Sequence, residues 1–196
     1  MENGTSEYKV KLIGAMKFLV ETLLTNPRGG NGSIRINEYV WITPSGIPKN
    51  ELKPHDLVLY DMKTKEFKGF YKPSIEYRIH VMTYENIGEA KAVLHAHLPL
   101  ATGIASVNGV DWVYETFSEI EYSTGKVELV DPAPPGSLEL ARNVVNAFIN
   151  GARTVIVPRH GVFVWGRNVE EALDAIVGLE NAAKYYIARV LLVKML

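Results

Sequence analysis

Three short β-type runs, SIRI (33–36), YVWITP (39–44) and DLVLYD (56–61), follow one another with no helical pattern between them. That succession constrains the fold more than any other feature of the chain. Parallel neighbours need a long crossover, usually a helix, whereas strands joined without one pair antiparallel. Helical and strand patterns intermingle elsewhere. The expected class is therefore α/β, a three-layer sandwich with a mostly antiparallel central sheet and helices on both faces, rather than a doubly wound parallel sheet.

Apolar residues recur at helical spacing from Tyr8 to Leu24 (Val10, Ile13, Met16, Phe18, Leu19, Leu23), which predicts an opening helix. NPRGGNGS (26–33) then breaks it. A helix is expected over IEYRIHVMTYE (75–85) with Ser74 as its N-cap, followed by a buried strand at AVLHAH (92–97) and a helical turn or two at LPLATGIASV (98–107). Residues 108–130 carry no clear pattern. Ser137 reads as the N-cap of a helix ending near Gly151, and RTVIVPRHGVFVWG (153–166) as one strand kinked at Pro158 and Gly161. A long final helix starts at Asn168, with Glu170 and Glu171 in its first turn to complement the helix dipole.

No repeat, low-complexity tract or linker divides the chain, so residues 1–196 read as a single domain. A net charge of −1 argues against a nucleic-acid partner. No apolar leader or bilayer-length run is present, so no membrane partner is expected and the expected location is cytoplasmic. There is no cysteine, which excludes disulfides, a thiolate nucleophile and Cys-ligated zinc. Any metal must be held by His and carboxylate.

Residues two apart in a strand share a face, so His95 and His97 aim into one space. Their alternation fits a chelating pair, but alone it is a weak signal, since core or surface histidines that happen to alternate are the commoner case. His160, in a second apolar strand and followed by Gly161, would complete three His ligands from two strands with one position open, the pattern of a catalytic divalent site. His55, in the polar KPHD loop, reads as solvated; His80, four residues after Glu76 on the same helical face, reads as a structural or supporting residue. Glu76 is either a first-turn carboxylate that suits the helix dipole or a general base beside the metal. RGGNGS (28–33), TPSG (43–46) and Ser74 with the following helix N-terminus could each form a nest of N–H donors for phosphate, or be ordinary turns. Together with the His cluster they favour an enzyme acting on a small anion.

In this order, GGNGSIR (29–35), ITPSGIP (42–48), KPSIEYRIH (72–80), AVLHAH (92–97) and VIVPRHGVFVWG (155–166) resemble the class II aldolase and adducin family, the group of L-fuculose-1-phosphate aldolase and L-ribulose-5-phosphate 4-epimerase. The likeness spans roughly residues 8–190. It implies a divalent metal on His95, His97 and His160, usually zinc, with Mn²⁺ or Co²⁺ as alternatives. It implies Glu76 as the proton-transferring base that can also ligate the metal, and a phosphate pocket at Asn31, Ser45, Gly46 and Ser74. It further implies a homotetramer with the site at a subunit boundary.

The activity so implied is reversible cleavage of a small ketose 1-phosphate, L-fuculose-1-phosphate-like, to dihydroxyacetone phosphate and an aldehyde through a metal-stabilised enediolate. Where the epimerase pattern has Asp, Glu76 favours carbon–carbon lyase chemistry. Ile75 replaces the second Ser of the P-S-S-E motif and so removes a hydroxyl expected at the phosphate. That departure keeps open epimerase, dehydratase and unphosphorylated-substrate aldolase or decarboxylase activity on the same scaffold. Relatives carry a tail Tyr that helps protonate the substrate; here Tyr114 and Tyr122 are the candidates for that role. An adducin-like interaction module is the non-enzyme alternative, against which the intact His95, His97 and His160 argue.

Overall fold

The computed structural model describes residues 2–195, with side chains from Thr5 onward. Helix α1 spans Glu2–Glu21 and leads into β1 (Asn31–Ile36), β2 (Tyr39–Ile42), β3 (Val58–Asp61) and β4 (Glu66–Lys68). Then come α2 (Tyr77–Asn86), β5 (Ala92–Ala96), α3 (Pro99–Asn108), α4 (Ile120–Thr124) and β6 (Val127–Leu129). The chain closes with α5 (Leu138–Ile149), β7 (Thr154–Val157), β8 (Gly161–Gly166) and α6 (Val169–Met195).

The eight strands form one sheet in the order β4-β3-β2-β1-β5-β8-β7-β6. Every pairing is antiparallel except β6 with β7. The strands before α2 pair with their chain neighbours, as the lack of helices between them requires. Among the described residues, no helix is long and apolar enough to cross a membrane.

Alternation along the central strands sorts the side chains into two cores. Ala92, Leu94 and Ala96 of β5, with Val162 and Val164 of β8, pack with Leu12, Met16, Ile176 and Leu179 of α1 and α6. On the opposite face, Phe163 packs with Ile79, Leu140, Val144 and Phe148 of α2 and α5, and Val93 with Val81 and Tyr84. Each of the Val, Leu, Ile, Met and Phe side chains among them, fully withdrawn from water, contributes about 1.5–3 kcal/mol. His95 lies on the second face, between the sheet and α2. The three-layer arrangement follows.

Two local expectations need correction. Residues 153–166 form a hairpin rather than one kinked strand: β7 and β8 pair from Thr154↔Val164 to Val157↔Gly161. Pro158 has no N–H for the ladder, and Arg159 takes a left-handed φ of 60° that closes the turn. His160 therefore sits in the turn rather than within a strand. Ser74 is not the N-cap of α2, since that position falls to Glu76, which makes no side-chain cap. Instead the Ser74 carbonyl accepts from Tyr77 N–H at 3.1 Å and its Oγ from Glu76 N–H at 3.3 Å, forming a separate turn before the helix. The other expected caps are present: Ser137 Oγ accepts from Leu140 N–H and Asn168 Oδ1 from Glu171 N–H.

Candidate metal centre

The site grows from a match between two periodicities. Asn31, Ser33 and Arg35 lie on one face of β1, two residues apart; Glu76, His80 and Tyr84 lie along one face of the α2 segment, four apart. Four helical residues rise about 6 Å and two strand residues about 6.6 Å, so the two rows stay in step. Asn31 Nδ2 donates to Glu76 Oε2 at 2.7 Å, and Asn31 Oδ1 meets His80 Nε2 at 2.6 Å. Ser33 Oγ meets His80 Nδ1 at 2.7 Å and Tyr84 Oη at 2.8 Å. Arg35 donates to the Tyr84 carbonyl at 2.8 Å. The first rung holds the carboxylate of Glu76, a residue only 4% exposed, beside Asn31 at the start of β1.

Two histidines meet that carboxylate. His95 Nε2 is 3.5 Å from Glu76 Oε2, and His160 Nε2 is 3.1 Å from Glu76 Oε1. His95 stacks on Phe163, with ring centroids 4.1 Å apart and planes at 9°. Its Nδ1 lies 3.0 Å from the Val162 carbonyl. A carbonyl can only accept, so Nδ1 carries the proton and Nε2 presents a bare lone pair toward Glu76. The hairpin can bring His160 this close because residue 161 is glycine: a Cβ there would lie 2.4 Å from the Ala96 carbonyl oxygen and 2.7 Å from His95 Cε1.

Burial pushes the His95 imidazole down to about 4 and also lowers His97, so both are neutral, lone-pair-bearing groups near pH 7. Burial alone would raise Glu76, but His95, His160 and the Asn31 hydrogen bond outweigh it and hold the carboxyl down to about 2. Ligand atoms of Glu76, His95 and His160 all lie within 4.8 Å of one another. Glu76 Oε1 and His160 Nδ1 are buried without a hydrogen-bond partner. A buried carboxylate and imidazoles converging with unspent acceptor capacity fit a divalent cation.

A family model described as Class II Aldolase and Adducin N-terminal domain matches residues 10–187. The chain belongs to this family. An L-fuculose phosphate aldolase of Methanococcus maripaludis is 32% identical over 157 residues, covering 80% of this chain and 83% of that protein. A methylthioribulose-1-phosphate dehydratase of Methylococcus capsulatus is 28% identical over 180 residues, covering 87% and 88%. A solved L-fuculose 1-phosphate aldolase superposes with a TM-score of 0.81 at 31% identity, over 94% of this chain and 86% of that one. Class II aldolases use a divalent metal, and the Glu76–His95–His160 group is the feature of this member that could hold one.

Not every residue expected at the class II site comes together. His97, just beyond β5, has its ring 5.2 Å from that of His95 and 6.4 Å from that of His160, and stands outside the close group. It lies against Gly29, where a Cβ would be 2.6 Å from its Cε1. Asn31, Ser45, Gly46 and Ser74 all line one cavity of about 190 Å³ with Glu76 and His160. The Asn31 amide is already engaged by Glu76 and His80. Tyr114 and Tyr122 do not line this cavity: the Tyr114 hydroxyl accepts from Val127 N–H at 2.9 Å, and Tyr122 is 88% exposed on α4. His55 is exposed beside Asp56, as a solvated loop histidine would be.

Two cationic side chains that the sequence did not single out line the cavity, Arg28 within RGGNGS and Lys49. Lys49 is buried, its Nζ donating to the Pro44 and Ile47 carbonyls at 3.1 and 2.8 Å. Its backbone N–H reaches the Pro27 carbonyl at 2.6 Å, which ties the loop before β1 to the loop after β2. In the sequence it is one surface-type lysine among many, and no spacing sets it apart.

Proposed function

We propose that the protein is a metal-dependent aldolase that reversibly cleaves a small ketose 1-phosphate, L-fuculose-1-phosphate-like, to dihydroxyacetone phosphate and an aldehyde. The observation that carries this reading is the buried Glu76 carboxylate facing His95 and His160 at the mouth of a cavity walled by the Gly/Ser-rich loops. The metal proposed is Zn²⁺, with Mn²⁺ or Co²⁺ as alternatives, and His97 moving in as a further ligand. When bound, a divalent cation supplies Lewis-acid stabilisation of negative charge on the substrate's carbonyl oxygen.

The chain's own residues supply the rest. Glu76, kept ionised, takes the proton from the hydroxymethyl carbon of dihydroxyacetone phosphate in the condensation direction and returns it during cleavage. Such transfers are typically worth about 10²–10⁴-fold. Ser45, Gly46 and Ser74 offer hydroxyl and backbone N–H donors to the phosphate, and Lys49 and Arg28 give that end of the cavity positive charge. Tyr114 and Tyr122 remain the candidate proton donors for the aldehyde side. They could reach a cavity only in a neighbouring subunit, which agrees with the homotetramer we propose. Exposed Tyr185, Leu191 and Leu192 on α6 suit burial in such an assembly. The proposed location is cytoplasmic.

One observation favours a second reading. Ile75 lines the cavity where a serine was expected and is 58% exposed. A poorer phosphate site would suit aldol or decarboxylation chemistry on an unphosphorylated substrate, whereas epimerisation or dehydration of a sugar phosphate would use the same metal and enolate chemistry and is separated by product analysis. The deciding experiment measures dihydroxyacetone phosphate released from a panel of ketose 1-phosphates, with and without a chelator. Chelator-sensitive release supports the aldolase, whereas metal-loaded protein that releases none from any of them sinks it. Glu76→Gln should retain metal and lose roughly 10²–10⁴-fold in turnover; undiminished turnover removes Glu76 from the proton step. Loss of metal in His95→Ala is the matching check on the centre.

A further inference from the structure

We infer that His80 is a positioning residue: as the neutral Nε2–H tautomer it locks the Asn31 amide so that Nδ2 donates to Glu76. With an uncharged His80 ring, only one direction of proton donation from His80 to Glu76 satisfies the contacts in this buried row. An ionised carboxylate can only accept, so the Asn31 atom 2.7 Å from Glu76 Oε2 is the amide nitrogen. The other end of that amide is then the oxygen, and it too can only accept. His80 Nε2, 2.6 Å away, must carry a proton.

His80 is fully buried, and the groups it touches, Asn31 and Ser33, are uncharged, so a second ring proton would place an unpaired charge in the core. Burial accordingly pushes this imidazole down to about 3. Nδ1 is therefore bare, and Ser33 donates its hydroxyl proton to it across 2.7 Å. The Tyr84 proton is left to the oxygens of Ser33, with Oγ at 2.8 Å and the carbonyl at 3.0 Å. The donors of Ser33, His80 and Asn31 thus all point toward Glu76.

The consequence is directional. If Nε2 lost its proton, two acceptors would face each other at 2.6 Å, and the amide would turn its oxygen onto the carboxylate or swing away. Glu76 would then lose the donor that fixes Oε2, while nothing in contact with a metal had been altered. Partners one shell away from a metal ligand typically cost about 10–100-fold in affinity or activity when removed. The effect on turnover rests on the aldolase reading; the tautomer and the anchoring of Glu76 do not.

Three measurements test this. Imidazole ¹⁵N NMR of the metal-free protein, with His80 assigned by the signal missing in His80→Gln, should show a protonated Nε2 and a bare Nδ1. A proton on Nδ1, or on both nitrogens, overturns the inference. In the second, Co²⁺ is titrated into His80→Gln and His80→Asn. The longer amide can place a donor where Nε2 was, and the shorter one reaches only the Nδ1 position. Affinity within about 3-fold of the parent for Gln and at least 10-fold weaker for Asn, at matched melting temperatures, is the expected result. Equal affinities in the two variants overturn it. The third follows solvent deuterium entering dihydroxyacetone phosphate and should rank the variants in the same order. A parent protein that fails to exchange under saturating metal refutes the aldolase reading instead, and the first two measurements then decide the role of His80.

Discussion

Replacing Gly161 by Ala adds one methyl at the point where the β7–β8 hairpin meets β5. Built at ideal geometry, that carbon lies 2.4 Å from the Ala96 carbonyl oxygen, 2.7 Å from His95 Cε1 and 3.2 Å from His97 Cα. Carbon and oxygen in contact sit at about 3.3 Å, so roughly 0.9 Å of separation is required. The oxygen belongs to the main chain of a central strand and cannot rotate aside. Relief must come from moving the start of β8 off β5, where Ala96↔Val162 and His95↔Phe163 pair. Forced expansion of a packed interior costs about 1–3 kcal/mol. For a chain of this length that is a melting point lower by roughly 2–12 °C.

The functional loss should be larger than the structural one. Moving His160 and His95 apart by about 1 Å at a reacting centre can cost on the order of 10²-fold. The assays are thermal unfolding, metal titration and turnover on the same preparation. Gly14→Ala is the control: it lies exposed in α1 with nothing within 4 Å of the added carbon, and should gain about 0.5–1 kcal/mol from helix propensity. If Gly161→Ala melts and binds metal like the parent, the close approach does not set the histidine geometry, and the account of the hairpin is wrong.

Other expectations follow from the same contacts. Stripping a metal held at about 100 times its dissociation constant removes about 2.7 kcal/mol, so chelation should lower the melting temperature by roughly 5–11 °C, and His95→Ala should abolish that difference. Burial holds Lys49 down to about 8, against an unfolded value of 10.5. The unfolded chain therefore binds more protons between those two values, and the charged-amine penalty, full below about 8, disappears as pH rises through the window. The stability of the parent relative to Lys49→Met should accordingly climb from about pH 8 to 10.5 in urea melts, and a flat difference would contradict it. Glu180, buried in α6, accepts from Leu100 and Ala101 N–H at 3.1 and 3.0 Å at the start of α3. Glu180→Ala should cost roughly 2–3 kcal/mol by leaving those donors unpaired, read as a lower melting temperature.

Alternation and punctuation carried much of this architecture into plain view. The apolar run around His95 and His97 reads as a buried strand because all five residues of β5 are buried, with helices on both sides. Asn168 and Ser137 read as caps because their side chains do the local bonding that such residues do anywhere. What escaped was set by tertiary partners. VIVPRHGV gives the same apolar pattern whether it is kinked or folded back, and only the pairing with β5 distinguishes them. Residues 111–115 form a 3₁₀ turn and 127–129 a three-residue strand, both too short for a period to register. Asn31 looked like a loop residue awaiting an anion, since no local pattern reveals that Glu76 and His80 arrive from 45 and 49 residues away. Ser74 failed as a helix cap for a related reason: the segment carrying Glu76 is positioned by Asn31, His95 and His160 rather than by its own N-terminal chemistry.

The ladder between β1 and α2 behaves as a vernier. Its two scales advance by about 6.6 and 6.0 Å per mark, so they slip by about 0.6 Å each step and by about 1.2 Å at the third mark. Short side chains absorb the first two coincidences, in Asn31 and Ser33; by the third only a long one, Arg35, still spans the gap, and it reaches a main-chain carbonyl. A fourth would overshoot the tolerance of a hydrogen bond. The row is held at each of its three marks, from Arg35 on the Tyr84 carbonyl to Asn31 on Glu76. One residue added between Glu76 and His80 would turn the later marks by about 100° and dissolve the alignment, while lengthening the exposed β3–β4 turn would leave it untouched.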